Sequence, residues 1–214
     1  MDQTVEVKVR QYFSKFPKRQ YPKGQILIFA DEDPDYIFYL TKGKVIKYDV
    51  AYNGDEVIVN IFKPSSFFPM SWAINHGQNH FFYKTETESE MHVIPASDAL
   101  SFMESNTDVM MDLIERIYRG TEGLLTRMVQ LMVGSAKNRI LLEVLIEARR
   151  FGEKNKDGST SISINEQELA SRAGMSRETV SREINKMKSS KLVKVDKGNI
   201  TVLDLDRVEA ELKP

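Results

Sequence analysis

Four polar residues near the carboxyl end of the chain have the types and the spacing needed to read DNA bases. They are Arg177, Glu178, Ser181 and Arg182. A helix through MSRETVSREI would place all four on one side, because they are separated by one, three and one residues. Arginine can pair with guanine through two hydrogen bonds, and a carboxylate can accept one from cytosine. We therefore interpret them as candidates for base recognition at the start of a recognition helix.

The surrounding segment predicts a helix-turn-helix with a wing. Asn165 and Glu168 form a capping-box pattern at the start of a first helix. Gly174 suits a sharp turn, and Ser176 can cap a second helix. Beyond it, KLVKV and ITVL flank the turn residues 196–199, a pattern typical of a two-stranded hairpin.

Charge along the second predicted helix agrees with a nucleic-acid partner. From Ser176 to Lys191 there are five basic and two acidic residues, a local charge of +3 in a chain whose net charge is −1. Side chains that meet phosphates position a protein without reading sequence. The candidates for this role are Ser176, Thr179, Lys186, Lys188 and Lys197. An ordinary solvated amphipathic helix is the alternative, but the wing and the local charge favour double-stranded DNA as the partner.

The first half of the chain has the pattern of an antiparallel β structure. From about residue 18 to 95, short runs with a period of two alternate with turn residues. Asn53-Gly54 lies between two of these runs, and Asn-Gly is a strong hairpin signal. Short strands at this spacing predict a sandwich or barrel.

A long helix without proline is predicted from Asn106 to Val133. Seven of its side chains recur at alternating spacings of four and three, which is the pattern of a helix-pairing seam. They are Met110, Ile114, Ile117, Thr121, Leu124, Met128 and Leu131. Covering the barrel is the alternative use of this seam. The length of the seam favours a parallel homodimer, and Gly134-Ser135 would end the helix.

Composition excludes several kinds of site. The 214 residues include no cysteine, so disulfides, thiolate zinc sites and cysteine-ligated iron–sulfur clusters are excluded. No apolar run reaches the length of a signal peptide or a membrane span. We therefore expect a cytoplasmic protein without a membrane partner.

With these segments in place, the chain resembles the cyclic-AMP receptor protein / fumarate-nitrate-reductase regulator (CRP/FNR) family from about Tyr21 to Leu205. PKGQILIFADED, YIFYLTKGKVIKY and NGDEVIVNIFKPSSFF follow the family's strand-and-glycine pattern, and MSRETVSREI is the most specific match. The family's E-x-x-S-R pattern falls on Glu178, Ser181 and Arg182, and its Arg-Glu-x-x-x-Arg pattern also fits. The resemblance implies an inverted repeat with TGA-containing half-sites, and leaves TTGAT-like and TGTGA-like half-sites open.

The resemblance also implies an α+β fold. Its parts would be an antiparallel jelly-roll barrel of the cyclic-nucleotide-binding type in residues 1–105, a long dimerisation helix in 106–134 and a winged helix-turn-helix in 135–214. RNA polymerase is an expected partner of such a regulator.

The sensor region departs from the cyclic-nucleotide binders of the family. Their phosphate cassette has Gly-Glu and Arg-Ser, where this chain has Pro69-Met70 and His80-Phe81. Polar residues that face the purine are replaced by Leu124-Leu125. We therefore expect a site without a cation for the phosphate, and no binding of cyclic AMP or cyclic GMP. The candidate effector pocket is formed by Met70, Trp72, His80, Phe81, Phe82, Leu124 and Leu125.

Three interpretations of this region stay open. The aromatic cluster could hold an apolar effector, or it could be collapsed core. A haem or metal site on His76, His80 or His92 is disfavoured, since two histidines on a loop are not a full ligand set. We therefore predict neither a metal nor a cofactor.

Two other functions are weighed against DNA binding. One is a cupin-like metal enzyme, which three widely separated histidines fit badly. The other is a signalling protein that does not bind DNA, against which the winged helix argues. The favoured interpretation is a regulator and not an enzyme.

Overall fold

The computed structural model describes residues 3–52, 54–75, 77–196 and 199–212. The chain forms two units that divide after Gly120. The first unit contains an antiparallel β-sandwich with helices packed against it. The second contains the helix-turn-helix and a small antiparallel sheet.

Two four-stranded sheets form the sandwich of the first unit, in the strand orders β1-β8-β3-β6 and β2-β7-β4-β5. The strands are β1 Lys18–Tyr21, β2 Ile26–Ile28, β3 Tyr36–Lys42, β4 Val45–Val50, β5 Glu56–Phe62, β6 Phe67–Phe68, β7 Phe82–Thr85 and β8 Ser89–Pro95. All the pairings are antiparallel. The predicted jelly-roll class is therefore confirmed.

The hairpin predicted at Asn53-Gly54 joins β4 to β5. Asn53 itself lies outside the described residues, but Val50 pairs with Glu56 on its two sides. Gly54 has φ +86°, a left-handed conformation that glycine adopts without steric cost. Its N–H donates to the carbonyl of Ala51 at 2.8 Å, which closes the turn.

Helices cover one side of the sandwich. They are α1 Gln3–Phe13, α2 Met70–Asn75, α3 Ala96–Glu104 and the beginning of α4 Thr107–Val133. In α1, buried Val5, Val9 and Phe13 recur every four residues and therefore lie on one face. Val109 and Leu113 of α4 belong to the same apolar cluster. The amino-terminal part of α4 thus covers the sandwich, which was the alternative role of the long helix.

The helix break predicted at Gly134-Ser135 is present. Helix α5 spans Ala136–Phe151, and the hydroxyl of Ser135 caps it by accepting from the N–H of Asn138 at 3.2 Å. A Cβ on Gly134 would lie 2.4 Å from the carbonyl oxygen of Gln130, so a larger residue would force the backbone to move. The division between the two units nevertheless falls inside α4. Residues 107–120 of this continuous helix belong to the first unit, and residues 121–133 belong to the second.

The second unit has the predicted winged topology. Helices α6 Glu166–Ala173, α7 Arg177–Ser189 and α8 Leu205–Ala210 join α5 around one apolar core. Strands β9 Glu153–Lys154, β10 Thr160–Ile162, β11 Val193–Asp196 and β12 Asn199–Val202 form a sheet in the order β11-β12-β10-β9. Strands β11 and β12 form the wing. Residues 197–198, which connect them in the sequence, lie outside the described residues. None of the helices in the described part of the chain combines the length and apolar composition needed to cross a bilayer.

Candidate nucleic-acid interface and sensor pocket

The turn between α6 and α7 is held by local hydrogen bonds. At the start of α6, the side chain of Asn165 accepts from the N–H of Glu168 at 2.9 Å, and the Glu168 carboxylate accepts from the N–H of Asn165 at 3.0 Å. This is the predicted capping box. At the other end, Gly174 has φ +62°, which turns the chain sharply towards α7.

Helix α7 is amphipathic, and its apolar side fixes its orientation. Ser176 caps it by accepting from the N–H of Thr179 at 3.3 Å. Val180, Ile184 and Met187 are at most 2% exposed and pack into the core of the unit. Because these three positions share one face of the helix, the opposite face is turned towards solvent.

Helix α7 carries the four predicted base-reading residues in its first two turns, where the Nε of Arg177 lies 3.8 Å from a Glu166 carboxylate oxygen of α6. Arg177, Glu178 and Arg182 are exposed and Ser181 is half-buried. The side chain of Arg182 is 67% exposed, and its Nε lies 3.9 Å from a Glu183 carboxylate oxygen. This contact is too long to be a hydrogen bond, so the guanidinium keeps donors for a base edge.

Glu178 is held in its ionised form. Its own backbone N–H and the hydroxyl of Ser176 donate to the carboxylate, and these bonds lower its pKa. A carboxylate at the first turn of a helix is also stabilised by the helix dipole. A carboxylate at this position can accept a hydrogen bond from a cytosine amino group.

The predicted phosphate-contacting residues have different surroundings. Lys186 and Lys188 are exposed, and the Lys186 ammonium lies 2.7 Å from the Glu183 carboxylate. Thr179 is half-buried beside Ser176, with the two hydroxyl oxygens 3.2 Å apart. Lys197 lies outside the described residues.

Asn185 is a candidate that the sequence analysis missed. It is exposed and follows Ser181 by four residues and Arg182 by three, so it shares their face of α7. An asparagine amide can pair with adenine through two hydrogen bonds. The signal was available in the helical spacing, but the prediction considered only the first turns of the helix.

Two ion pairs with buried carboxylates join successive helices of the second unit, one between α6 and α5 and one between α4 and α5. An Arg172 guanidinium nitrogen of α6 donates to Glu147 of α5 at 2.6 Å, with side chains 4% and 1% exposed. Arg127 of α4 donates to Glu143 of α5 at 2.7 Å. Burial raises the pKa of Glu143, and Arg127 opposes that shift. The two pairs favour one arrangement of helices α4, α5 and α6, since separating either pair would break a contact between opposite charges at a buried carboxylate.

In the first unit, residues of the predicted effector pocket line a small cavity. Trp72, His80 and Phe81 surround about 120 Å³, together with Ser71 and Asn75. Met70 is instead buried in the core. Phe82 stacks on Tyr48 with ring centroids 5.2 Å apart. Leu124 and Leu125 are exposed on α4 and belong to the second unit.

Lys47 also lines this cavity, which corrects the expectation of a site without a cation. Its ammonium lies 4.1 Å from the centroid of the Phe81 ring and 5.8 Å from that of Tyr83. The signal in the sequence was the alternation of β4, which places Lys47 on the same strand face as buried Val45. The prediction compared only the cassette positions and did not consider this strand.

The histidines have separate structural surroundings. The Nδ1 of His92 lies 2.8 Å from the carbonyl oxygen of Phe16, and the Nδ1 of His80 lies 3.4 Å from Asp31. His76 lies outside the described residues. Across residues 3–52, 54–75, 77–196 and 199–212, no group of three or more His, Asp or Glu side chains is arranged to hold a metal ion.

Comparison with known proteins matches each of two parts of the chain to a known domain family. The cyclic nucleotide-binding domain family matches residues 18–106, and the Crp-like helix-turn-helix domain family matches residues 139–211. The chain is 24% identical to the cAMP-activated global transcriptional regulator CRP of Haemophilus influenzae, over 86% of this chain and 82% of the relative. It is 25% identical to the global nitrogen regulator of Synechococcus elongatus, over 86% and 85%.

Solved structures share the fold. A CooA mutant from Carboxydothermus hydrogenoformans aligns with a TM-score of 0.79 at 18% identity, covering 95% of this chain and 90% of that one. A CRP/FNR-family transcriptional regulator from Thermus thermophilus aligns with a TM-score of 0.74 at 18% identity, covering 92% and 98%.

A cyclic nucleotide-binding-like sandwich and a winged helix-turn-helix with an exposed arginine face define a DNA-binding transcriptional regulator. The chain belongs to the CRP/FNR family of these regulators. The relatives are transcriptional regulators and not enzymes, so the cupin-like alternative is not supported.

We expect Arg172→Met to destabilise the second unit by about 3–5 kcal/mol, because buried Glu147 would lose the guanidinium that donates to it at 2.6 Å. The control is Arg149→Met, which breaks the exposed Arg149–Glu209 pair, whose side chains are 52% and 49% exposed. It should cost about 0–1 kcal/mol. Urea unfolding of both variants measures their free energies of unfolding. Equal losses of stability would show that burial does not make the Arg172–Glu147 pair stronger than the exposed pair.

Proposed function

We propose that the protein acts as a homodimer that reads an inverted DNA repeat with TGA-containing half-sites, and that cyclic AMP does not control it. The observation that carries the proposal is the exposure of Arg177, Glu178 and Arg182 at the start of α7, beside half-buried Ser181. Two arginines and an ionised carboxylate suit guanine and cytosine in the major groove. RNA polymerase is the partner through which a regulator bound beside a promoter would act.

An exposed apolar stripe on α4 supports the homodimer. Seven large apolar side chains between Leu124 and Val133 are 47% to 81% exposed. They are Leu124, Leu125, Met128, Val129, Leu131, Met132 and Val133. In the first unit, Ile117 and Tyr118 are exposed as well, whereas Met110 and Ile114 are half-buried. A contiguous apolar surface of this kind marks an interface, and a second α4 would cover it with matching residues.

The dimer would set the spacing of the DNA half-sites. Two recognition helices related by a twofold axis meet successive major grooves when their half-sites lie about 34 Å apart, one helical turn. The DNA must then carry the same sequence in inverted orientation. The twofold symmetry of the proposed dimer therefore supports an inverted repeat.

The cassette residues argue against control by cyclic AMP. Pro69 and Met70 are buried, and the His80 ring faces Asp31 across 3.4 Å. Among the residues that line the described cavity, Lys47 is the one lysine or arginine, and it comes from β4. The cavity of about 120 Å³ is also smaller than the ~300–1,000 Å³ of typical ligand pockets.

Arg182→Ala should abolish specific binding to an inverted TGA repeat while the protein stays folded. The truncation removes an exposed guanidinium and leaves the buried face of α7 unchanged. A gel shift at several salt concentrations measures the effect. The control is Lys188→Ala, which should weaken binding to all sequences and reduce the slope of log affinity against log salt concentration by about one. Unchanged affinity of Arg182→Ala for the repeat would contradict the assignment.

Met128→Glu should convert the dimer to a monomer, because it places a charge in the apolar stripe of α4. The control is Thr126→Glu, which adds the same charge to the same helix on its opposite side. Sedimentation velocity should show a monomer for the first variant and a dimer for the second. A dimer in both would exclude this stripe as the interface.

Calorimetric titration with cyclic AMP should show no binding at micromolar concentrations. The reason is the loss of the phosphate-binding cassette at positions 69–70 and 80–81. The same preparation must bind the DNA repeat, which shows that it is folded and active. Micromolar binding of cyclic AMP would contradict this part of the proposal.

A further inference from the structure

Lys47 is a half-buried ammonium group without a carboxylate partner among the described residues. It lies in β4 opposite Tyr83 of β7. Its contacts are with the Phe81 and Tyr83 rings, at 4.1 Å and 5.8 Å from their centroids. Neighbouring Lys84, by contrast, is paired with Glu56 at 2.7 Å. The sheet therefore neutralises one of two adjacent lysines and leaves the other with aromatic partners.

The surroundings of Lys47 disfavour its charge. Burial lowers its pKa because the ammonium has lost water. Cation–π contacts return part of the lost hydration energy, and a carboxylate would return more. An anion placed in the cavity would thus supply the partner that the described protein residues do not.

The walls of the cavity suit a flat apolar group. Trp72 and Phe81 contribute aromatic surface, and Ser71 and Asn75 contribute neutral polar groups. Asn79 also lines the cavity, but its amide N–H groups already donate to the carbonyl oxygens of Phe29 and Phe81, both at 2.9 Å. Asn79 therefore holds the loop in place and is not a free donor for a ligand.

Charge and size limit the ligand further. The adjacent open pocket is lined by Asp31 and Asp33 together with Trp72, so a second negative group on the ligand would be repelled there. The cavity itself measures about 120 Å³. One cation, aromatic walls and this volume together fit a small molecule with one negative charge and an apolar ring.

We propose that this cavity binds a small aromatic monocarboxylate, with the carboxylate on Lys47 and the ring against Trp72 and Phe81. Its role as an effector rests on the proposed DNA-binding function, whereas the binding itself does not.

Benzoate is the probe that tests this inference, and Trp72 is the reporter because it is the chain's only tryptophan. Titration of the full-length protein should give a saturable change in Trp72 fluorescence. Benzamide has the same shape without the charge and should bind about ten- to a hundredfold more weakly, as expected for the loss of a charged hydrogen bond.

Three variants test whether Lys47 supplies the charge. Lys47→Met should remove the preference for benzoate over benzamide, and Lys47→Arg should keep it. Lys23→Met changes the net charge equally at an exposed position and should bind like the wild type. Circular dichroism and the DNA gel shift show that each variant is folded.

No saturable change at millimolar benzoate would overturn the inference. So would equal binding of benzoate and benzamide, or wild-type binding of benzoate by Lys47→Met. A protein that binds the DNA repeat but not benzoate overturns only this inference. A protein that binds benzoate but no inverted repeat overturns only the proposed function.

Discussion

Burial of one side of α7 is the constraint on which the DNA-binding interpretation depends. Val180, Ile184 and Met187 have to face the core formed with α5 and α6, so the helix cannot rotate without exposing them. The positions of Arg177 and Arg182 follow mainly from that packing, and each guanidinium also lies near a carboxylate, Glu166 at 3.8 Å and Glu183 at 3.9 Å. The capping box and Gly174 set where the helix begins, and the buried Arg172–Glu147 pair holds α6 against α5.

The sensor unit shows a different use of buried charge. In the helix-turn-helix unit, Arg172 and Arg127 both have carboxylate partners, and their pairs stabilise a fixed arrangement. In the sandwich, Lys47 has aromatic rings in place of a carboxylate. A protein usually pairs its buried charges, and exceptions concentrate at functional sites. The cavity beside Lys47 therefore indicates which kind of ligand the site could bind. The replaced cassette shows only which ligand contacts the site has lost.

Structural features that depend on a few neighbouring residues could be predicted from the sequence. The strands followed from their period of two, the helix break from Gly134-Ser135, and the recognition turn from Asn165 and Gly174. The cation of the sensor cavity was missed because a motif comparison covers only the motif's own positions, and Lys47 comes from a distant strand. The division of the chain inside α4 was also not predictable, since it depends on which packed core holds each part of a continuous helix.

The central claim is that the face of α7 reads an inverted repeat as part of a dimer. Selection of random double-stranded DNA by the purified protein, followed by sequencing, tests it most directly. We predict enrichment of two TGA-containing half-sites in inverted orientation, with centres about 10 base pairs apart. Enrichment of a single half-site, of a direct repeat or of no shared sequence would contradict the claim.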